Sequence, residues 1–156
     1  MLLKEAILTF LISMVPVVEL RGALPIGVGM GLSPFSALII SVIGNLVPLP
    51  FLIMFTKRVF SWLRHHFPKL DTVISKLEAR AEEKRATVEK YKFWGLFIFV
   101  AIPLPGTGGW TGALIAAMMD MRIKKAFPAI TLGVLCAGLI VFLITYVFHV
   151  SIPLIS

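Results

Sequence analysis

Four stretches of this sequence contain no charged side chain, and three of them are long enough to cross a lipid bilayer. The charge-free runs span residues 6–18, 22–56, 93–119 and 126–156. About 18–20 consecutive apolar residues mark a membrane-spanning helix, and the last three runs exceed that length. Hydrophobic residues make up 58% of the chain and charged residues 15%. We therefore expect a multi-pass protein of the cytoplasmic membrane rather than a soluble enzyme, a disulfide scaffold or a disordered chain.

The basic residues are concentrated in one segment, which sets the expected orientation. Ten of the fifteen lie between residues 57 and 92, and the preference of Lys and Arg for the inner side of a membrane places this segment in the cytoplasm. The net charge of +7 therefore calls for no nucleic-acid partner. Cys136 is the only cysteine, and no zinc spacing, phosphate loop or nucleophile motif is present. We expect no metal, no cofactor and no enzymatic activity.

Two of the runs are expected to be full transmembrane helices. Residues 32–56 end at Lys57, so this helix reaches the cytoplasmic face, and Pro48 and Pro50 should kink it near its end. Residues 126–150 follow a second basic patch, so this helix leaves the cytoplasmic face and runs outward.

Residues 93–119 lie between two basic flanks, and the same preference assigns both flanks to the cytoplasm. The centre of the run, from Pro103 to Gly109, is rich in proline and glycine, which no continuous helix tolerates. Two arms of about ten residues reach only about 15 Å, half the hydrocarbon core. We expect a re-entrant hairpin, with a kinked full span as the alternative.

The N-terminal region, residues 1–31, has the same form. The apolar stretch before Glu19 is too short to cross, and a glycine-rich return follows Pro25. A hairpin that precedes an inward-running helix enters from the outside, which places Lys4 outside. A full span from a cytoplasmic Lys4 is the alternative.

The predicted fold is an all-α integral membrane protein with a single membrane domain over residues 1–156. It contains two inverted repeats, each a re-entrant helical hairpin followed by a transmembrane helix, an arrangement that transporters use to build a site at mid-membrane. Short echoes agree with this, since Gly22-Ala-Leu recurs as Gly112-Ala-Leu, and each copy later carries a glycine in an apolar run, Gly44 and Gly133.

The cytoplasmic segment between the repeats, residues 57–92, is expected to contain an amphipathic helix over residues 70–91. Its apolar positions alternate in steps of four and three, which suits either a helix lying on its own membrane face or a coiled-coil contact between two copies. Two spans and two hairpins are few for enclosing a polar cavity. We therefore expect a homodimer, with membrane lipids as its other partners.

Glu19 and Arg21 are the only charged residues in a predicted hairpin tip. A charge near the bilayer centre costs roughly 2.5–3.5 kcal/mol on insertion scales, so such residues mark functional sites. In unwound backbone, residues two apart point to one side, and both are expected to face a shared aqueous cavity. Glu19 is a candidate proton carrier and Arg21 a candidate anion clamp. The alternative is an ion pair that only pins the hairpin.

The second tip has no charge, but its glycine N–H groups and threonine hydroxyls suit an anionic group. Asn45 is expected to bond to a neighbouring helix, and Asp120 to cap a turn with Arg122. The further candidate substrate-binding residues are Pro25 in the first tip and, in the second, Pro103, Pro105, Gly106, Thr107, Gly108, Gly109, Trp110 and Thr111.

Two segments resemble the signatures of the small multidrug export proteins. They are Glu19-Leu-Arg-Gly-Ala-Leu-Pro-Ile-Gly27 and Ile102-Pro-Leu-Pro-Gly-Thr-Gly-Gly-Trp-Thr-Gly-Ala-Leu-Ile-Ala116. That family is distantly similar to the DedA (VTT) superfamily, which the resemblance associates with paired re-entrant hairpins and the movement of lipids between leaflets. Glu19 matches the acidic residue of the first DedA hairpin. The arginines of the second DedA hairpin have no counterpart here, where threonine, glycine and tryptophan stand.

The leading functional prediction is a transporter that moves an amphiphilic, anionic lipid or lipid-linked carrier across the cytoplasmic membrane, with proton coupling through Glu19. One alternative is a proton-coupled exporter of small amphiphilic drugs. Another is a non-transporting membrane assembly factor that recruits its partner through the helix of residues 70–91.

Overall fold

The computed structural model describes residues 2–104 and 106–151, and every regular element within these ranges is helical. The prediction of an all-α protein is confirmed. The elements are α1 (Leu2–Met14), α2 (Glu19–Gly29), α3 (Pro34–Leu46), α4 (Leu49–His66), a 3-10 helix (Pro68–Leu70), α5 (Asp71–Tyr91), α6 (Phe93–Ala101), α7 (Gly109–Met118) and α8 (Ile123–Ser151).

Two helical stretches are long and apolar enough to cross a membrane. The first is Pro34–His66, which combines α3 and α4, and the second is Ile123–Phe148 within α8. They include most of the predicted spans 32–56 and 126–150, but the first continues ten residues further as helix. Between α3 and α4 the helix is interrupted beside Pro48, as expected of a residue that has no N–H to donate.

The same turn connects α2 to α3 and α7 to α8. Gly31 after α2 and Asp120 after α7 both have positive φ, 100° and 52°. In each turn three N–H groups bond back to carbonyls of the preceding helix, as in a Schellman cap. The donor and acceptor residues are Met30 and Ile26, Gly31 and Val28, Leu32 and Gly27 in the first turn, and Met119 and Ile115, Asp120 and Ala117, Met121 and Ala116 in the second.

Glycines allow the first helix of each half to approach the long helix closely. A Cβ at Gly44 of α3 would overlap the carbonyl oxygen of Phe10 in α1, and a Cβ at Gly133 of α8 would overlap that of Phe97 in α6. Small residues at such crossings are the usual device for packing helices in a membrane, where no hydrophobic effect drives association. The contact of α1 with α3 is thus matched by that of α6 with α8.

The two halves also exchange contacts, since α2 packs on α8 and α7 packs on α4. The largest core cluster draws on both halves and includes the fully buried Leu20, Leu49, Leu96, Ile115 and Ile130. Many large apolar side chains remain exposed on the outside of the bundle, as a lipid environment requires. The two long apolar helices agree with a membrane protein.

The polar helix α5 lies against α6 and α7 of its own chain. Ile74, on the seam with the alternating four-and-three spacing, is buried at 3% exposure, whereas Leu77 is 38% exposed. Arg64 at the end of α4 forms salt bridges with two residues of α5, Asp71 at 3.0 Å and Glu78 at 2.5 Å. At Ile74 the seam is therefore covered by the protein itself.

Asp120 pairs with Lys57 at 2.6 Å and not with Arg122, so the expected cap is corrected. The N–H groups of this turn are already bonded to carbonyls of α7, which leaves the carboxylate free to reach across to α4. This pair joins the two halves on the side that carries the basic residues.

Candidate functional site

Glu19 opens α2 immediately after a break at residues 15–18, and the backbone there is strained. Val17 has φ of 80° and Glu19 has φ of 48°. Residues other than glycine seldom adopt such positive φ values, which are least favourable for a β-branched residue. Such strain persists only where surrounding contacts fix it, and it concentrates at functional sites.

The Glu19 side chain crosses from the first half of the protein to the second. It is 5% exposed, and its Oε1 accepts the backbone N–H of Trp110 at 3.0 Å, with the N–H of Gly109 also acting on the carboxylate. A Cβ at Gly108 would overlap this carboxylate. Glu19 therefore occupies the N-terminus of α7, where unpaired N–H groups and the helix dipole favour a negative charge.

Arg21 reaches the other side of the same break. Its Nη1 donates to the carbonyl oxygen of Leu104 at 2.7 Å, and its Nη2 lies 3.1 Å from that of Ile102 and 3.3 Å from that of Val100. Nη2 also contacts Thr107 Oγ1 at 3.4 Å. These carbonyls belong to the last turn of α6 and the residues after it, where the helix dipole favours a positive charge.

We call these two sets of contacts the latch. A carboxylate binds the start of α7 while a guanidinium binds the end of α6, so each charge meets the helix end of opposite sign. The expectation of extended backbone at Glu19 and Arg21 is wrong, because α2 is helical from Glu19 onward. Residues two apart on a helix point in different directions. The two charged side chains therefore contact two helix ends and do not face one shared cavity.

No ion pair joins Glu19 to Arg21 in the part of the chain that the structure describes. The simple ion-pair alternative is therefore corrected as well. Both side chains hold a hairpin in place. That hairpin is the second tip, and the groups that they bond are backbone N–H and C=O.

The second tip, residues 102–108, is also bonded to itself. Thr107 Oγ1 lies 2.7 Å from the carbonyl oxygen of Ile102 and 2.8 Å from that of Leu104. Gly106 has φ of 82°, which suits glycine. These contacts hold the carbonyls of Ile102 and Leu104 toward Arg21, and Thr107 is a predicted site residue that the structure brings into the latch.

Comparison of the sequence with known proteins identifies a family. Residues 19–140 fit the sequence profile described as "Putative small multi-drug export protein", Sm_multidrug_ex, so the match begins at Glu19 and includes the whole second tip. The chain belongs to the small multi-drug export protein family. Neither a curated protein nor a solved structure matches it. The family resemblance predicted from the two signature segments is confirmed.

Some of the other predicted site residues of this small multi-drug export protein lie at the latch and others do not. Gly108, Gly109 and Trp110 lie at the Glu19 carboxylate. Pro25 lies inside α2 on an exposed surface, and Thr111 lies half-buried in α7.

Two further members of the predicted set lie at the second tip. Pro103 is half-buried in the segment between α6 and α7. Pro105 falls outside the described residues.

The structure places two polar side chains of α3 in surroundings that the sequence did not predict. Asn45 is fully buried, yet within the part of the chain that the structure describes neither of its amide atoms has a partner, so the expected bond to a neighbouring helix is not found there. Ser41, one turn earlier on α3, is also buried with an unpartnered hydroxyl. One turn beyond Asn45, Leu49 packs over Gly109. An isolated asparagine in an apolar run was the only sequence signal for this region.

Proposed function

We propose that this small multi-drug export protein is a transporter of small amphiphilic molecules across the cytoplasmic membrane, and that opening and closing of the latch accompanies transport. The observation that carries the proposal is a pair of oppositely charged side chains, the buried Glu19 and the half-buried Arg21, each bound to one end of a broken helix. Buried charge is costly inside a membrane. A contact that neutralises it reversibly is suited to a conformational switch.

The inverted-repeat architecture is part of this proposal. Its support is the identical turn after α2 and after α7, together with the equivalent packing at Gly44 and Gly133. The exchange of contacts, α2 with α8 and α7 with α4, is what two repeats facing each other would produce. In transporters of this type the substrate site lies at the interface between the repeats, near mid-membrane.

The re-entrant form of the two helical pairs is supported by their lengths. The four helices α1, α2, α6 and α7 have 13, 11, 9 and 10 residues. At about 1.5 Å per residue none of them spans the roughly 30 Å of a hydrocarbon core. A broken backbone at membrane depth is stable only where protein or water covers it. Glu19 and Arg21 bond to this broken backbone at Trp110, Ile102 and Leu104.

We propose that proton coupling acts through Glu19 and these same contacts. A proton on the carboxylate removes the negative charge that the α7 N-terminus stabilises and replaces an acceptor with a donor. The contact with the Trp110 N–H is then weakened, and α7 is released from α2. Proton binding and latch opening are therefore coupled in this proposal.

The charge of the substrate depends on what Arg21 does after the latch opens. In the closed form its two terminal nitrogens contact four oxygens, so an anionic headgroup must compete with the carbonyls of the tip. Movement of an anionic lipid or lipid-linked carrier requires Arg21 as the clamp. Export of a cationic drug requires Glu19 alone.

The test uses protein reconstituted in vesicles with two probes, an anionic fluorescent phospholipid whose flipping exposes it to dithionite and the cationic dye ethidium. We expect Glu19→Gln to abolish the pH dependence of transport. Arg21→Ala should remove only lipid movement if Arg21 is the clamp. Transport of neither probe by the unaltered protein, or unchanged pH dependence in Glu19→Gln, contradicts the proposal.

We further propose that the protein acts as a homodimer, because two long helices and two short helical pairs are few for enclosing a polar cavity. Leu77 of α5 is partly exposed beside the buried Ile74 and is the position to test. A disulfide between Leu77→Cys copies supports α5 as the dimer contact, and its absence places the contact elsewhere. If deletion of α5 abolishes function while Glu19→Gln does not, the protein is an assembly factor instead.

A further inference from the structure

Two adjoining depressions lie between α4 and α7. The first is a groove of about 390 Å³ between the end of α1, α4 and Trp110 at the start of α7. The second is a pocket of about 270 Å³ between α4, α5 and the end of α7. Both are lined by Thr56 and Phe60, so they meet. The groove has the size of a small-molecule site, since such sites enclose roughly 300–1,000 Å³.

The groove is almost entirely apolar, and its walls include Phe51, Leu52, Phe55 and Val59. Trp110 at the start of α7 is part of this lining. The backbone N–H of the same residue holds Glu19, which connects the groove to the latch.

The pocket is polar by contrast. Lys57, Ser61, Arg64 and Glu78 line it. Arg64 is already paired with Asp71 and Glu78, so Lys57 is the cation of the lining that a ligand can reach. The partner of Lys57 is Asp120, and the two side chains are 53% and 79% exposed. Ion pairs as exposed as this one are weak, so an anion that enters the pocket can displace the Asp120 carboxylate from Lys57.

The surroundings of the pocket favour an anion. Thirteen of the fifteen basic residues and six of the eight acidic residues lie in segments 57–92 and 120–125, and this part of the chain therefore carries the whole net charge of +7. A net positive surface raises the local concentration of anionic ligands. An apolar groove that leads into a pocket on this surface matches a molecule with an apolar chain and an anionic head.

We propose that the groove and the pocket together form one binding site for a single-chain anionic amphiphile. The chain lies along α4 toward Trp110, and the anionic head lies at Lys57. This inference rests on the proposed transport of amphiphiles and deepens it, because it gives the substrate a headgroup charge and an entry site on the basic side of the membrane. Occupation of the groove places the ligand against α7, the helix that the latch holds.

The test measures binding and not transport. The probe is 11-(dansylamino)undecanoic acid, added to protein in phosphatidylcholine nanodiscs, and the signal is energy transfer from Trp110 after Trp62→Phe and Trp94→Phe. We expect saturable binding, about tenfold weaker in Lys57→Gln, since one charge-assisted contact is lost. Lys76→Gln, on an exposed part of α5 outside the pocket, should bind as the parent does.

Asp120→Asn breaks the same ion pair from the other side and separates a binding role from a structural one. Asparagine tolerates the positive φ of this position, and loss of the carboxylate frees Lys57, so binding should be unchanged or tighter. Weaker binding in both Lys57→Gln and Asp120→Asn means that the ion pair is only structural and overturns the inference. Unchanged binding in Lys57→Gln also overturns it, as does equal affinity for the matching dansyl undecylamine.

Failure of this inference and failure of the proposed function give different results. If the vesicles transport either probe but Lys57→Gln binds normally, the function stands and the site is wrong. If the dansyl acid binds at Lys57 and no amphiphile is transported, the site stands and the protein is a binding protein.

Discussion

The Glu19 carboxylate accepts the backbone N–H of Trp110 at 3.0 Å although the two residues are 91 positions apart in the chain. This bond closes one side of a break whose other side is closed by Arg21, two residues further along α2. A single turn of one helix therefore satisfies both free ends of a helix pair in the other half of the protein. The stability of the second tip depends on residues outside it.

Glu19→Gln should lower the free energy of unfolding by about 1 kcal/mol, because a hydrogen bond to a charged group contributes more than one to a neutral group. Glutamine keeps the shape and can still accept the Trp110 N–H, so the change isolates the charge. Thermal unfolding in detergent measures it, with Glu82→Gln at an exposed position of α5 as the control. Equal effects of the two substitutions would show that the latch carboxylate has no special role.

Arg21→Ala should expose the second tip. Its loss leaves the carbonyls of Ile102 and Leu104 without the guanidinium, and hydrogen bonds to charged groups contribute enough that opening should become about tenfold more frequent. The measurement is the maleimide labelling rate of Val100→Cys, a buried position in the last turn of α6, in a Cys136→Ser background. Arg58→Ala, an exposed arginine of α4, is the control, and a labelling rate unchanged by Arg21→Ala would contradict the latch.

Gly108→Ala should be strongly destabilising, because its Cβ would overlap the Glu19 carboxylate. Forcing even one methyl group into a packed site costs about 1–3 kcal/mol. Gly29→Ala is the matched control, since nothing lies within 4 Å of its added Cβ. Comparable melting temperatures for the two variants would show that the carboxylate can move aside freely.

Gly44→Ala and Gly133→Ala should have similar effects, because in each case the new Cβ meets a backbone carbonyl oxygen of the neighbouring helix. Backbone cannot rotate away as a side chain can, so each substitution should separate two helices and cost about 1–3 kcal/mol. Thermal unfolding of both variants beside Gly29→Ala measures this. A large effect at one glycine and none at the other would argue against equivalent halves.

The orientation of the N-terminus tests the re-entrant form of the first helical pair. In a Cys136→Ser background, Lys4→Cys should react with a membrane-impermeant maleimide from outside the cell, whereas Ser75→Cys on α5 should react only after permeabilisation. If α1 instead crosses the membrane completely, Lys4→Cys is cytoplasmic and the two cysteines become reactive together. That result would break the repeat relationship.

Much of the fold follows from local composition. The charge-free runs identify the long helices, and the short apolar arms around Glu19 and around residues 103–109 mark the two broken pairs. Pro48 interrupts the first long helix as expected. The end of that helix at His66 was not predicted, because Lys57, Arg58 and Arg64 suggest a polar segment while the backbone continues unchanged to a 3-10 turn.

The sequence predicted which charged residues lie at the candidate site but not which groups they bind. Glu19 and Arg21 stand out because charge is rare in apolar runs, and the glycines at 106, 108 and 109 mark a broken tip. Which group each charge binds was not predictable, since backbone N–H and C=O groups carry no sequence signal. The absence of a partner for Asn45 is likewise a property of the packed helices alone.

The sequence by itself determined that the chain enters a membrane, where it breaks and which two side chains are charged there, because hydropathy, proline and charge act locally. The tertiary structure decided that Glu19 binds the start of α7 and Arg21 the end of α6. That choice depends on how the two halves pack, and on the sign of the dipole at each helix end, which fixes the partner of each charge once the helices meet.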